Sequence, residues 1–421
     1  MQFELSTLRN GLRIISSNRP SFETVSIGLW IKTGSACETP DINGISHFLE
    51  HMVFKGTKNH TALQISEEIE DVGGQTNAYT SREFTSFYAK MLKEDAEIAL
   101  DILAEFITAP TFPDDEISKE REVVVQEIKQ TIDTPDDIIF DYFQECAFQD
   151  QPIGFSILGP SELIRSFDAK TLRSYIKNNY AAENIVVCAV GNIEHKNFVK
   201  MVEKRMSDLQ EKISFKTAPQ IYTGGYKIDK RDIEQVHMTL GFNGCDYNDE
   251  NYYTIMLLAN ILGGETSSRL FQEIREKRGL VYTIYSFANA HTQSGLFGIY
   301  AGTSKEELKE LIPVVCEEIK KLIKEKATEK ELNRAKTQFK AGMLMTLESS
   351  SSTSEVLARQ MLLFNRVLPT EEMVANLDKV TLEDIQKTAQ KVFSSAPTFC
   401  LVGDLDESYP YWEKLQECLA K

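Results

Sequence analysis

Two stretches of this chain, 212 residues apart, read as the same strand. IVVCAVGNI at 185–193 and TFCLVGDL at 398–405 superpose with Cys188 on Cys400 and Gly191 on Gly403. Each follows a similar helix, FDAKTLRSYIKNNY at 167–180 and VTLEDIQKTAQKVF at 380–393, opened by an Asp or Thr cap signal. The echo continues upstream. VSIGLWIKTGSACETP (25–40) answers VHMTLGFNGCDYND (236–249), and the strand, turn and helix of 78–107 answer those of 295–319. FPDDEISKEREVVVQEI (112–128) answers ATEKELNRAKTQFKAGM (327–343). The simplest account is two copies of one unit, 1–212 and 227–421. Residues 213–226, with Pro219 and Gly224-Gly225, form the linker. Alternating runs such as TSFYAKML beside long helical runs predict an α+β fold. Each domain is expected to be an antiparallel sheet covered on one face by helices. Alternation around Asn10-Gly11 predicts an N-terminal hairpin.

Charge and cysteine usage narrow the function classes. The formal net charge is −17, which argues against nucleic acid, whose phosphates reward basic surfaces. The acidity has two readings: solubility, or a negative chamber that attracts basic peptides. No apolar run approaches the ~20 residues a spanning helix needs, so no membrane partner is expected. The N-terminus shows no secretory signal pattern. Seven scattered cysteines with no CxxC pair suggest neither a thiolate metal site nor a disulfide framework. A cytoplasmic location is the expectation.

The segment NGISHFLEHMVFKGT (43–57) carries the chemistry. His47 and His51 stand at i and i+4, so on a helix both imidazoles project from one face toward one ion. Glu50 lies beside that face, while Ile45, Phe48, Leu49 and Met52 supply packing. Two of only six histidines fall within five residues, which packing alone does not explain. HxxEH inverts the commoner zinc helix. Catalytic zinc needs three protein ligands, an open position for water, and a carboxylate to take that water's proton. DDEISKEREVVVQEIKQ offers the third ligand on a helix where Glu120, Val123, Val124, Glu127 and Ile128 fall on one stripe. Spacing leaves Glu116 and Glu122 as rivals, and a salt bridge as the alternative use of these carboxylates. A closed structural zinc site would need a fourth ligand, and His60, beyond Gly56, is the one nearby histidine.

GISHFLEHMVFKGT, GGQTNAYTSREFTSFY and EREVVVQEI, in this order, resemble the motifs of the pitrilysin (M16) metallopeptidases. The resemblance covers essentially the whole chain and is strongest to the two-domain processing-peptidase branch. It implies one Zn2+ per chain held by His47, His51 and Glu127, with Glu50 as general base and Glu120 supporting the ligands. It also implies that Asn77 contacts the substrate backbone. SSRLFQEIREKRGLVYTIYS resembles the family's Arg-(x)6-Tyr element, so Arg275 and Tyr282 would hold substrate and stabilise the carbonyl oxyanion, with Arg278 a competing arginine. The second half carries TIMLLANIL where the first carries the motif, and no metal is expected there. The implied activity is zinc-dependent endoproteolysis of short or unfolded peptides in an enclosed chamber. Its implied partner is a second copy of the chain or a related chain. The alternative is a non-catalytic assembly subunit of the same fold.

Overall fold

The computed structural model describes residues 2–213 and 218–420, so residues 214–217 of the expected linker lie outside the described residues. Period-two alternation places the strands: within 85–92, Phe87, Ala89 and Met91 are buried while Lys90 and Leu92 are exposed. The first half carries strands β1 (Glu4–Thr7), β2 (Arg13–Asn18), β3 (Thr24–Ile31), β4 (Gln75–Thr80), β5 (Thr85–Leu92) and β6 (Ile185–Gly191). Its helices are α1 (Ile45–Val53), α2 (Ala62–Glu70), α3 (Ala96–Thr108), α4 (Asp114–Asp133), α5 (Pro135–Ala147), α6 (Ser161–Ser166), α7 (Ala169–Asn179) and α8 (His195–Met206). The second half carries β7 (Gly225–Lys230), β8 (Val236–Asn243), β9 (Val281–Ala290), β10 (Gly295–Thr303) and β11 (Thr398–Gly403). Its helices are α9 (Tyr252–Gly263), α10 (Leu308–Lys324), α11 (Glu329–Thr346), α12 (Ser350–Phe364), α13 (Thr370–Lys379), α14 (Leu382–Phe393) and α15 (Tyr411–Ala420). No described helix is long and apolar enough to cross a membrane.

The sheets run β1-β2-β6-β3-β5-β4 and β7-β11-β8-β10-β9, so β2, β6, β3, β5 and β4 recur as β7, β11, β8, β10 and β9. Among the described residues the hairpin strand β1 has no second counterpart. Both sheets are antiparallel except for one parallel pair each, β2 with β6 and β7 with β11. The shared glycine has a shared cause. Gly191 has φ +139° and Gly403 φ +151°, a region that favours glycine. A Cβ on Gly191 would lie 2.3 Å from the Thr24 carbonyl oxygen, and one on Gly403 2.8 Å from the Val236 Cα.

Packing divides the chain into two compact units that differ from the sequence halves by an exchange of segments. One unit is Met1–Lys129, Phe155–Ala218 and Met343–Thr370; the other is Gln130–Gly154, Pro219–Gly342 and Glu371–Lys421. The first sheet is covered on both faces, not on one. Ile14, Val25, Ile27 and Phe87 pack with Phe48, Leu49 and Leu103, while Ile15, Trp30, Val186 and Val190 pack under Leu357 and Met361 of α12. All of β6 is buried, and a strand apolar on both sides requires a layer on each. In the second unit α5 plays the corresponding part, packing on β7, β8 and β11.

Candidate metal centre

Helix α1 buries Ile45, Phe48, Leu49, Met52 and Val53, which leaves His47, Glu50 and His51 on its half-buried side. The two imidazoles stand one turn apart, with ring centroids 4.8 Å from each other. Helix α4 starts on Asp114, Asp115 and Glu116, whose charges suit the positive end of the helix dipole. Its buried residues are Ile117, Glu120, Val124, Val125 and Ile128; Val123, placed on that stripe by spacing, is 42% exposed. Three residues advance a helix by about 300°, so Val123 turns away while Val124 and Ile128 stay inside.

Of the α4 glutamates, Glu127 faces the histidines. Its Oε2 lies 3.6 Å from His47 Nε2 and 3.3 Å from His51 Nε2. Glu116 pairs with Lys119 at 2.5 Å and Glu122 with Arg165 at 2.6 Å. Two arms of about 2.05 Å at a tetrahedral angle end about 3.4 Å apart, so this donor set fits one zinc-sized ion. Among the described residues, His47, His51 and Glu127 are the one group of His, Cys, Asp or Glu side chains close enough to share an ion. His60 is engaged elsewhere, with Glu105 at 2.8 Å and Glu68 at 3.2 Å.

Burial, helped by the neighbouring His51, pushes His47 down to about 3, so its ring is neutral and able to ligate. Glu120 accepts from His51 Nδ1 at 3.1 Å and from Lys55 Nζ at 2.7 Å. Burial raises the Glu120 carboxyl, but the hydrogen bonds and charges of His51 and Lys55 outweigh it and hold the group below its ordinary value. A carboxylate of this kind fixes the tautomer and orientation of a ligating ring. Glu50 takes no place among the three ligand atoms. Its Oε2 accepts from Thr80 Oγ1 at 2.6 Å, and burial raises its pKa against the opposing pull of Thr80 and His51.

Thr80 ends β4, the outer strand of the first sheet. Because successive side chains alternate, Thr80 turns to α1 while Tyr79 turns to the α12 face, donating to Glu355 Oε1 at 3.1 Å. Asn77 lies on this edge strand, exposed, paired with Tyr88 of β5. Arg275 and Tyr282 belong to the second unit and are brought together there. The Arg275 guanidinium lies 4.6 Å from the Phe271 ring centroid and 5.5 Å from that of Tyr282, whose side chain is 77% exposed. The segment Phe271–Glu276 is a π-helical turn, a feature common at functional sites. Arg278 pairs with Glu273 at 3.0 Å. Thr80 and Lys55 escaped the sequence reading. Lys55, four residues after His51, carried a spacing signal; Thr80 carried none.

Two imidazoles and a carboxylate converging from α1 and α4, with the Glu50 carboxylate beside them on a doubled α+β frame, define a metallopeptidase scaffold of the inverted zinc-helix class. The chain belongs to peptidase family M16. Residues 13–161 match the family model described as Insulinase (Peptidase family M16), and residues 166–339 that described as Peptidase M16 inactive domain. A Rickettsia felis protein named an uncharacterized zinc protease is 41% identical over 96% of this chain and 98% of its own length. An Arabidopsis thaliana protein named probable mitochondrial-processing peptidase subunit beta is 32% identical over 97% of this chain and 79% of its own. The crystal structure of a protease from Helicobacter pylori shares the fold, with a TM-score of 0.87 at 22% identity over 96% of this chain and 99% of that one.

Proposed function

We propose that this chain is a zinc-dependent endopeptidase that hydrolyses short or unfolded peptides in an enclosed chamber, with one zinc per chain. The observation that carries the reading is the convergence of His47 Nε2, His51 Nε2 and Glu127 Oε2 with the buried carboxylate of Glu50 alongside. Bound zinc supplies Lewis acidity that makes water a nucleophile near neutral pH. Glu50 accepts the proton of the attacking water and returns it to the leaving amine. Burial makes this carboxylate a stronger base than a solvated one, and Thr80 holds one of its oxygens in place. The free edge of β4 offers main-chain groups to an extended peptide, with Asn77 touching the substrate backbone.

Arg275 and Tyr282 hold substrate and stabilise the carbonyl oxyanion. We place them in trans: each centre is completed by Arg275 and Tyr282 of the partner subunit, in a homodimer or a heterodimer with a related chain. The net charge of −17 favours basic peptides, and seven free cysteines suit a reducing cytoplasm. The test is metal analysis with cleavage of an unstructured peptide library by the purified protein. About one zinc per chain is expected, with cleavage abolished by a chelator and restored by zinc. Zinc-loaded protein that cleaves nothing would point to the non-catalytic subunit.

A further inference from the structure

The two histidines of α1 are held by different means. His51 is fixed through its ring by Glu120, but His47 Nδ1 is buried with no hydrogen-bond partner. With that ring nitrogen unpaired, the placement of His47 leans on the backbone that carries it. The first turn of α1 lacks a cap from its own N-cap residue, because Gly44 has no side chain. Glycine is required there: φ is +93°, and a Cβ would lie 2.6 Å from the Leu158 carbonyl oxygen. The missing acceptor comes from outside the helix. Glu38, only 2% exposed, accepts from Gly44 N at 2.8 Å and Asn43 Nδ2 at 2.9 Å through Oε2, and from Ser46 N at 2.9 Å through Oε1.

We propose that Glu38 is a positioning residue for the metal centre, setting the first turn of α1 and thereby His47. Both carboxylate oxygens are committed, to amides two residues apart that flank Ile45 just before His47. A bare buried carboxylate is costly, and here the orphan amides of a helix start and its positive dipole end meet it. Glu38 thus does for His47 through the main chain what Glu120 does for His51 through the ring. The inference rests on the metal reading above, so the experiment carries one arm that needs no metal.

Glu38→Gln keeps the size of the side chain but turns an NH2 group toward amide donors. Zinc titration against a competing chelator should show an affinity about 10- to 100-fold weaker than wild type, the usual range for outer-shell partners. In metal-free protein, hydrogen exchange of the 44–47 amides should quicken at least about tenfold while the rest of α1 keeps its protection. Val202→Ala, on the buried face of α8, supplies a destabilised control that should keep wild-type affinity and exchange in α1. If Glu38→Gln does not fold, Asn43→Ala removes one of the three bonds and should shift both readouts the same way by a smaller factor. Wild-type zinc affinity with unchanged 44–47 exchange would overturn the assignment. If wild-type protein takes up no zinc, the metal reading falls, and the exchange arm alone decides whether Glu38 sets the turn.

Discussion

The two halves build one frame and differ in what it holds. Laying α1 along residues 254–262 of α9 sets Phe48 and Leu49 on Leu257 and Leu258, all fully buried. The same register sets His47, Glu50 and His51 on Met256, Ala259 and Asn260. Laying α4 on α11 sets Ile117 on Leu332, both buried, and Glu120 and Glu127 on Ala335 and Gly342. Most buried apolar positions of the register recur, though Ile45 meets Thr254 and Val125 meets Lys340, while the five groups of the candidate metal centre fall on residues that do not ionise. In the second half α9 and α11 meet elsewhere along their length, with Tyr253 edge-on to Phe339. Fold and chemistry are therefore written at different positions of the same helices. The inner positions specify packing, and the half-buried ones beside them are free to acquire or lose a ligand.

Mutations that make the first half resemble the second should break this contrast, the severest first. Glu127→Gln or His51→Ala should take the protein from about one zinc per chain to none, with activity lost; metal analysis of the purified variants checks it. Wild-type zinc content in Glu127→Gln would return Glu116 and Glu122 to candidacy. Glu50→Gln should keep fold and zinc yet lose about 10²- to 10⁴-fold in kcat, the range for removal of a general base. Near-normal, chelator-sensitive hydrolysis by that variant would contradict the assigned base.

The second half's contribution is tested next. Tyr282→Phe should lower kcat by about 10²-fold, the scale of a lost oxyanion donor. Mixed with Glu50→Gln chains, it should regain activity, because a mixed dimer rebuilds one complete centre. Random pairing gives about a quarter of wild-type activity if the centres act independently. Absence of recovery despite proven mixing would place Tyr282 in cis or outside catalysis. The smallest effect concerns charge. Matched basic peptides should exceed acidic ones by a few-fold in kcat/KM at low salt, with the gap closing as salt rises. Equal values would leave the net charge as a solubility feature.

Helical and strand periods in the sequence expose which face of an element is buried, but not what lies against it. His47 and His51 were legible because i and i+4 share a face without reference to any other element. The choice among Glu116, Glu122 and Glu127 was not, since it depends on how far along α4 the imidazoles of α1 fall. The same limit explains the sheet cover. IVVCAVG is continuously apolar, the pattern of a strand buried on both sides, yet nothing in SSSTSEVLARQMLLF says that it covers the first sheet rather than the second. The parallel pairing of β2 with β6 was equally hidden, because the alternation that marks a strand is indifferent to its direction.

The exchange of α5 and α12 sets an order of events during synthesis. β6 closes the first sheet at Gly191, but Phe364, the end of the helix that shields its second face, lies 173 residues further on. At about 5–20 residues per second the ribosome needs roughly 10–35 s to deliver it. Throughout that interval Ile15, Trp30, Val186 and Val190 have no permanent cover. A fragment ending at residue 212 should bind hydrophobic dyes and be digested far faster than the same residues in the whole chain; protection equal to the full-length protein would show that the sheet finds a substitute. Translation, for this molecule, holds an apolar surface open until most of the message has been read.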